Sequence, residues 1–109
     1  MKAFKDSTIF SINDSIEYSD GGVVSKPIIQ RKVGNVTLFA FDKGQQLSEH
    51  TAPFDALINI IDGTGEILIN KKPFKLKAGE SIIMPANVPH AVNAVEKFKM
   101  VLTMIKESI

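Results

Sequence analysis

Gly44-Gln45-Gln46-Leu47-Ser48-Glu49-His50-Thr51-Ala52-Pro53-Phe54-Asp55-Ala56 and Gly79-Glu80-Ser81-Ile82-Ile83-Met84-Pro85-Ala86-Asn87-Val88-Pro89-His90-Ala91-Val92-Asn93 are the two stretches on which the reading of this chain turns. Each opens on a glycine, each carries one of the two histidines of the protein, and each adjoins a short apolar run of strand character. Between them, residues 54–62 are nearly all apolar, which suits a strand buried on both faces or facing a closed interior. Residues 66–69 and 74–77 then flank Asn70-Lys71-Lys72-Pro73, a hairpin by pattern and by turn chemistry.

Outward from this centre the strand rhythm continues. Residues 36–41 (Val-Thr-Leu-Phe-Ala-Phe) form a strand bounded by Gly34-Asn35 and Asp42-Lys43-Gly44. Val23–Arg31 is β-branched enough for another, and Pro27 places it at an edge or at a bulge. Ser81–Met84 and Phe98–Ile105 complete the set, residues 8–12 add a short strand, and residues 105–109 allow at most one closing helical turn. Strands therefore recur every 8 to 12 residues or so with Gly, Pro or Asn between them, the pattern of an all-β sandwich or barrel. Gly44, Gly63, Gly65 and Gly79 read as strand-end turn positions needing positive φ rather than as a phosphate cradle. Lys71, Lys72, Lys75 and Lys77 read as a solvated edge that discourages strand addition.

Composition narrows the function classes. At 109 residues the chain holds one core. A formal charge of +1 argues against electrostatic capture of nucleic acid. The absence of cysteine excludes disulfide scaffolding, thiolate chemistry and zinc fingers. The first residues carry charge with no apolar segment behind them, and the longest uncharged run, residues 81–95, is broken by Pro85, Asn87, Pro89 and Asn93. Neither reads as a signal peptide or a membrane helix, so a cytoplasmic protein with no membrane partner is expected.

The two opening stretches resemble the paired motifs of the cupin superfamily, and the chain resembles a small single-domain, RmlC-like cupin. The first family motif has a glycine, five residues, His-x-His, three or four residues, a glutamate or glutamine, six residues and a glycine; Gly44, His50 and Gly63 stand at those intervals. The second has a glycine, five residues, Pro-x-Gly, two residues, a histidine and, soon after, an asparagine. Gly79, Pro85 and His90 match, Asn93 falls one residue short, and Asn87 replaces the second glycine, a change that preserves a positive-φ turn. The resemblance implies a cupin-type antiparallel β-barrel, of the jelly-roll or double-stranded β-helix kind, over residues 23–109, with residues 1–22 as an N-terminal arm.

In metal-binding cupins the histidines and the acidic residue of the first motif, with the histidine of the second, surround a divalent ion. Here Ala52 stands at the second histidine and Ala56 at the acidic ligand. His50 and His90 remain, and a stable mononuclear site takes three or more protein ligands. Asp55 is the nearby carboxylate; it faces outward if residues 56, 58 and 60 face in, and a bulge at Pro53 would reverse that. A divalent transition metal, if bound, is therefore expected to be bound weakly by His50 and His90, with Asp55 as the one supplementary ligand.

The two histidines have three readings: barrel residues satisfied by backbone carbonyls or by each other, a polar pair binding a small organic ligand, or a weak or substrate-completed metal site. The expected pocket lining is Ile58, Ile60, Met84 and one face of the last strand with Met100 and Met104, which serves equally as ordinary core. Nucleophilic catalysis has little support, since nothing marks the Ser48 or Ser81 hydroxyl near the motifs as activated, and no catalytic residue is assigned. The favoured function is a cytoplasmic cupin that binds a small molecule in its barrel beside a degenerate metal site. The alternatives are a metal-dependent enzyme (a dioxygenase, isomerase or sugar-modifying lyase by family analogy) and a ligand-sensing or partner-binding module. A homodimer is expected, because the apolar residues among positions 1–32 have no obvious place inside so short a barrel.

Overall fold

The computed structural model describes residues 4–106. Its strands are β1 (Val23–Arg31), β2 (Gly34–Phe41), β3 (Gln46–His50), β4 (Asp55–Ile69), β5 (Lys72–Lys77), β6 (Ser81–Met84), β7 (His90–Asn93) and β8 (Phe98–Ile105). All pairings are antiparallel, in the order β1-β2-β8-β4-β7-β3 with β5 and β6 also on β4, so one sheet curls into the wall of a half-barrel. The helical content among the described residues is one 3-10 turn, Asn13–Ser15. The all-β expectation holds.

Strand β4 joins two walls. Residues 55–63 pair with β8 and, in part, with β6; residues 64–69 pair with β5 and, in part, with β7. The sequence suggested two strands divided at Asp62-Gly63, and the structure corrects this. A register shift between Ile60 and Asp62 and a φ of 72° at Gly63 swing the strand from one wall to the other without ending it. Gly63 and Gly65 accordingly lie inside β4 rather than at strand ends. A β-carbon on Gly63 would sit 2.1 Å from the Lys97 carbonyl oxygen, and one on Gly65 would sit 2.7 Å from the Phe98 ring. Both glycines let β8 pack closely, and Gly65 does so without positive φ.

Alternation along the strands builds the inner core. Ala56, Ile58 and Ile60 are buried, and cross-strand partners share a face, so inner rows run Met84–Ala56–Met104, Ile82–Ile58–Leu102 and Ile60–Met100–Phe39. Phe41 and Phe98 stack at 4.7 Å at the far end. Each large side chain fully buried here contributes about 1.5–3 kcal/mol.

A second core lies on the outside of the same wall. Leu38, Ala40 and Val101 point away from the barrel and are covered by Ile16, which is fully buried, with Phe4, Ile12 and Tyr18 around it. Residues 8–12 form no strand, contrary to the sequence reading; they are an irregular part of this arm. The Lys99 ammonium donates to the Asn13 carbonyl (2.7 Å) and Lys26 donates to the Ser15 carbonyl (2.9 Å), fastening the 3-10 turn to the wall. Tyr18 donates its hydroxyl to the Asp62 carboxylate, and the Lys97 and Lys99 ammoniums lie 4.9 and 5.3 Å from its ring centre. Burial and that carboxylate push the Tyr18 phenol well up. Phe4, Ile12, Ile16 and Tyr18 of the arm thus find a place on their own barrel, while Ile9, Phe10 and, on β1, Ile29 stay exposed. Strand β1 is both an edge and bulged between Pro27 and Ile29, as Pro27 suggested. Residues 107–109, where a closing helical turn was allowed, lie outside the described residues.

Candidate functional site

Neither β3 nor β7 was singled out as a strand in the sequence, yet they bring the histidines together. Gln46 pairs with Asn93 and Leu47 with Val92, but the next pair is His50 with His90. Three steps on β3 match two on β7, so a bulge at Ser48-Glu49 absorbs one residue. Simple alternation from Leu47 would turn His50 outward; the bulge returns it to the inner face. Strand β7 also pairs with β4, placing Ile67 beside Val92 and Ile69 beside His90. A row His50–His90–Ile69 therefore crosses three strands.

The imidazole rings stand 4.4 Å apart, centre to centre, at 68°, edge toward face. His50 Nδ1 lies 2.7 Å from the Ser48 carbonyl, and His90 Nδ1 lies 3.2 Å from the Val88 carbonyl. A carbonyl oxygen only accepts, so Nδ1 carries the proton in both rings and each neutral ring keeps its lone pair on Nε2. His90 is 8% exposed whereas His50 faces solvent. Burial above all, and the His50 ring opposite, hold the His90 pKa below the ordinary imidazole range against the pull of the Val88 carbonyl.

The loops that follow His50 and precede His90 are stitched together. The Asn87 N–H donates to the Ala52 carbonyl (2.9 Å), and the Ala86 N–H donates to the Asp55 carboxylate (3.0 Å). Asn87 takes a φ of 63°, the turn conformation expected where the motif usually has glycine. His50 and Ala56 bracket one loop, Met84 and His90 the other, so these positions gather at one end of the barrel.

The structure separates the remaining candidates. Asp55 does not join the imidazoles: it is exposed at the start of β4, turned outward by the pleat, and its carboxylate is held by Ala86; no bulge at Pro53 reverses it. Glu49 also faces away, paired with Lys71 at 3.3 Å. Ile58, Ile60, Met84 and Met100 are buried in the inner core, with Met104 packed against it, and form the apolar floor of the barrel interior. Sequence reasoning missed Ile69 as the apolar neighbour of His90. The sequence carries no signal for it: the two-residue Asn70-Lys71 turn, with both φ values positive, fixes the β4–β5 register and not the β4–β7 register that brings Ile69 to His90.

The comparisons with known proteins agree with this geometry. A family model described as "Cupin domain" matches residues 37–106. A solved structure of a conserved protein of unknown function from Streptococcus pyogenes superposes with a TM-score of 0.91 at 31% identity, covering 96% of this chain and 92% of that one. A cupin 2 conserved barrel domain protein from Leptotrichia buccalis is 43% identical with a TM-score of 0.87; the match takes in 89% of this chain but 47% of that protein. A cupin superfamily protein from Desulfitobacterium hafniense matches over 97% of both chains at 24% identity, TM-score 0.89, and shows the fold alone. No curated protein matches. The chain belongs to the cupin family, as a small single-domain cupin.

Cupins include metal-binding enzymes, so the donor set here is the relevant test. Among the described residues no group of three or more His, Cys, Asp or Glu side chains is placed to hold a metal ion. Two imidazoles with alanine at positions 52 and 56 do not meet the three-ligand requirement of a tight mononuclear site. No metal-dependent step follows from these residues. What they offer chemically is a pair of neutral Nε2 acceptors at the rim of an apolar floor. No helix among the described residues is long and apolar enough to cross a membrane.

Proposed function

We propose that this protein is a binding cupin: it takes a small organic molecule at the loop end of its barrel, donating hydroxyl or amino hydrogens to Nε2 of His50 and His90, beside a degenerate metal site. The observation that carries this reading is the pairing of the two rings, 4.4 Å apart, with both Nδ1 atoms occupied by backbone carbonyls. Two acceptors so fixed and so close suit a donor-bearing ligand, while the apolar floor excludes water from its other side.

A thermal-shift screen of small acids and sugars, with a chelator present, tests it. A ligand at 100 times its Kd adds about 2.7 kcal/mol to stability, which raises Tm by roughly 10–20 °C in a domain of this size. The rise should vanish in His90→Ala and shrink in His50→Ala. A hit that survives both substitutions overturns the reading. So does one divalent metal per chain in the purified protein that is lost in His50→Ala, an outcome that would favour the metal-dependent alternative.

A further inference from the structure

Lys71, Lys72, Lys75 and Lys77 crowd the hairpin of β4 and β5, and the strand register sorts them onto different faces. Lys75 lies opposite Glu66, which accepts from Asn93 on the outer face (3.2 Å), and Lys71 in the turn pairs with Glu49 at 3.3 Å. Lys72 instead shares its face with Phe74 and Leu76, whose side chains pack into the inner core. Its strand partner is Ile69, which pairs on its other side with His90, which in turn pairs with His50. A single row on the inner face therefore reads Lys72–Ile69–His90–His50 across four strands: a cation, a branched hydrocarbon and two imidazoles. With strands about 4.8 Å apart, the Lys72 backbone lies about 10 Å from that of His90.

The Lys72 ammonium rests 5.4 Å from the centre of the Phe74 ring, and among the described residues no carboxylate pairs with it. Glu49, Asp55 and Glu66 are each turned away and held by Lys71, the Ala86 N–H and Asn93 respectively. The row thus ends in an uncompensated positive charge, which favours an anion at that end. We infer that the ligand of this site is a small hydroxy acid: its carboxylate is taken by Lys72, its carbon chain lies on Ile69, and its hydroxyls donate to Nε2 of His90 and His50. This rests on the binding reading above and adds the charge of the ligand to it. A charge-assisted hydrogen bond is stronger than a cation–π contact at an exposed ring, so the carboxylate draws the ammonium off Phe74. One ammonium matches the single charge of a carboxylate, and the row has neither the second cation nor the cradle of backbone N–H groups that suits a phosphate.

The probes are ω-hydroxycarboxylates of about three to six carbons, the lengths that fit the gap left by the lysine stem, each set beside the diol of the same length. Titrated into the 109-residue chain, they are followed by the imidazole nitrogen NMR shifts of His50 and His90. At least one hydroxy acid should bind about 10-fold or more tighter than its diol. Lys72→Gln should cancel that advantage and leave diol binding unchanged, whereas Lys71→Gln, in the turn and paired with Glu49, should preserve it. Lys72→Glu should reverse the preference, so that the amino alcohol of the same length binds in place of the hydroxy acid. Diols that match their hydroxy acids at every length, or an advantage that survives Lys72→Gln, overturn the inference and leave the binding reading intact. No shift of either imidazole with any hydroxy acid also overturns it; the binding reading then falls as well only if the thermal-shift screen of sugars gives no hit that depends on His90.

Discussion

The inner and outer faces of one wall bury apolar residues by different means. Inside, Ile58, Ile60, Met100 and Phe98 are covered by the sheet curling on itself, and every other member of that core but Ala94 is a strand residue. Outside, Leu38, Ala40 and Val101 are covered by an arm with no regular structure beyond one 3-10 turn, fastened by lysines to its carbonyls. The arm covers one part of the outer wall, and beyond it Ile29, Leu57, Ile83 and Ile105 stay exposed. The contrast teaches that a strand reading apolar on both faces, as β2 and β8 do, has two separate burial problems. The barrel solves one of them.

Removing the largest contributors should separate the two cores. Phe98→Ala deletes a fully buried ring stacked on Phe41 and leaning on Gly65, and should cost about 3–5 kcal/mol in urea unfolding. Ile16→Ala, the corresponding deletion outside, should cost about 2 kcal/mol and speed amide exchange in the arm more than in the β4–β8 ladder. A loss below about 0.5 kcal/mol for Ile16→Ala, the level of a surface substitution, would show that the arm is not part of the cooperative fold.

The smallest effect is the dependence on pH, and it should belong to the inner face. Because the folded His90 pKa lies below its unfolded value near 6.5, the unfolded state binds more protons once pH falls below that value. The stabilising contribution is complete above about pH 6.5 and is lost as pH falls from there toward the folded pKa. Wild-type Tm should therefore fall on acidification from pH 7.5 to 5.5, and the slope should flatten in His90→Leu. Equal slopes in wild type and His90→Leu would remove His90 as the cause.

The sequence made the inner face legible and the outer face opaque, for a physical reason. Alternation at 56, 58 and 60 and at 98, 100, 102 and 104 directly encodes a buried face, so the all-β barrel, Phe98–Ile105 and Val23–Arg31 could be read in place. Ile12, Ile16 and Tyr18 have no period because the arm has none, and only the folded wall shows where they go. The residues of the site were legible as the histidines of two motifs. Their approach depended on a bulge that leaves no compositional mark, since Ser48 and Glu49 are unremarkable in a strand. Asp55 could be placed outward by parity alone, and the structure puts it there, holding Ala86.

That bulge has an evolutionary consequence. Because inward and outward positions interchange with each residue, losing one codon between Leu47 and His50 would close the bulge and leave the imidazole paired with His90 and Leu47 paired with Val92, both on the inner face. A lineage could therefore straighten β3 by that single deletion and keep both inward side chains in place. The spare residue makes the position of His50 tolerant of one deletion in β3, whereas a second would turn either Leu47 or the imidazole outward.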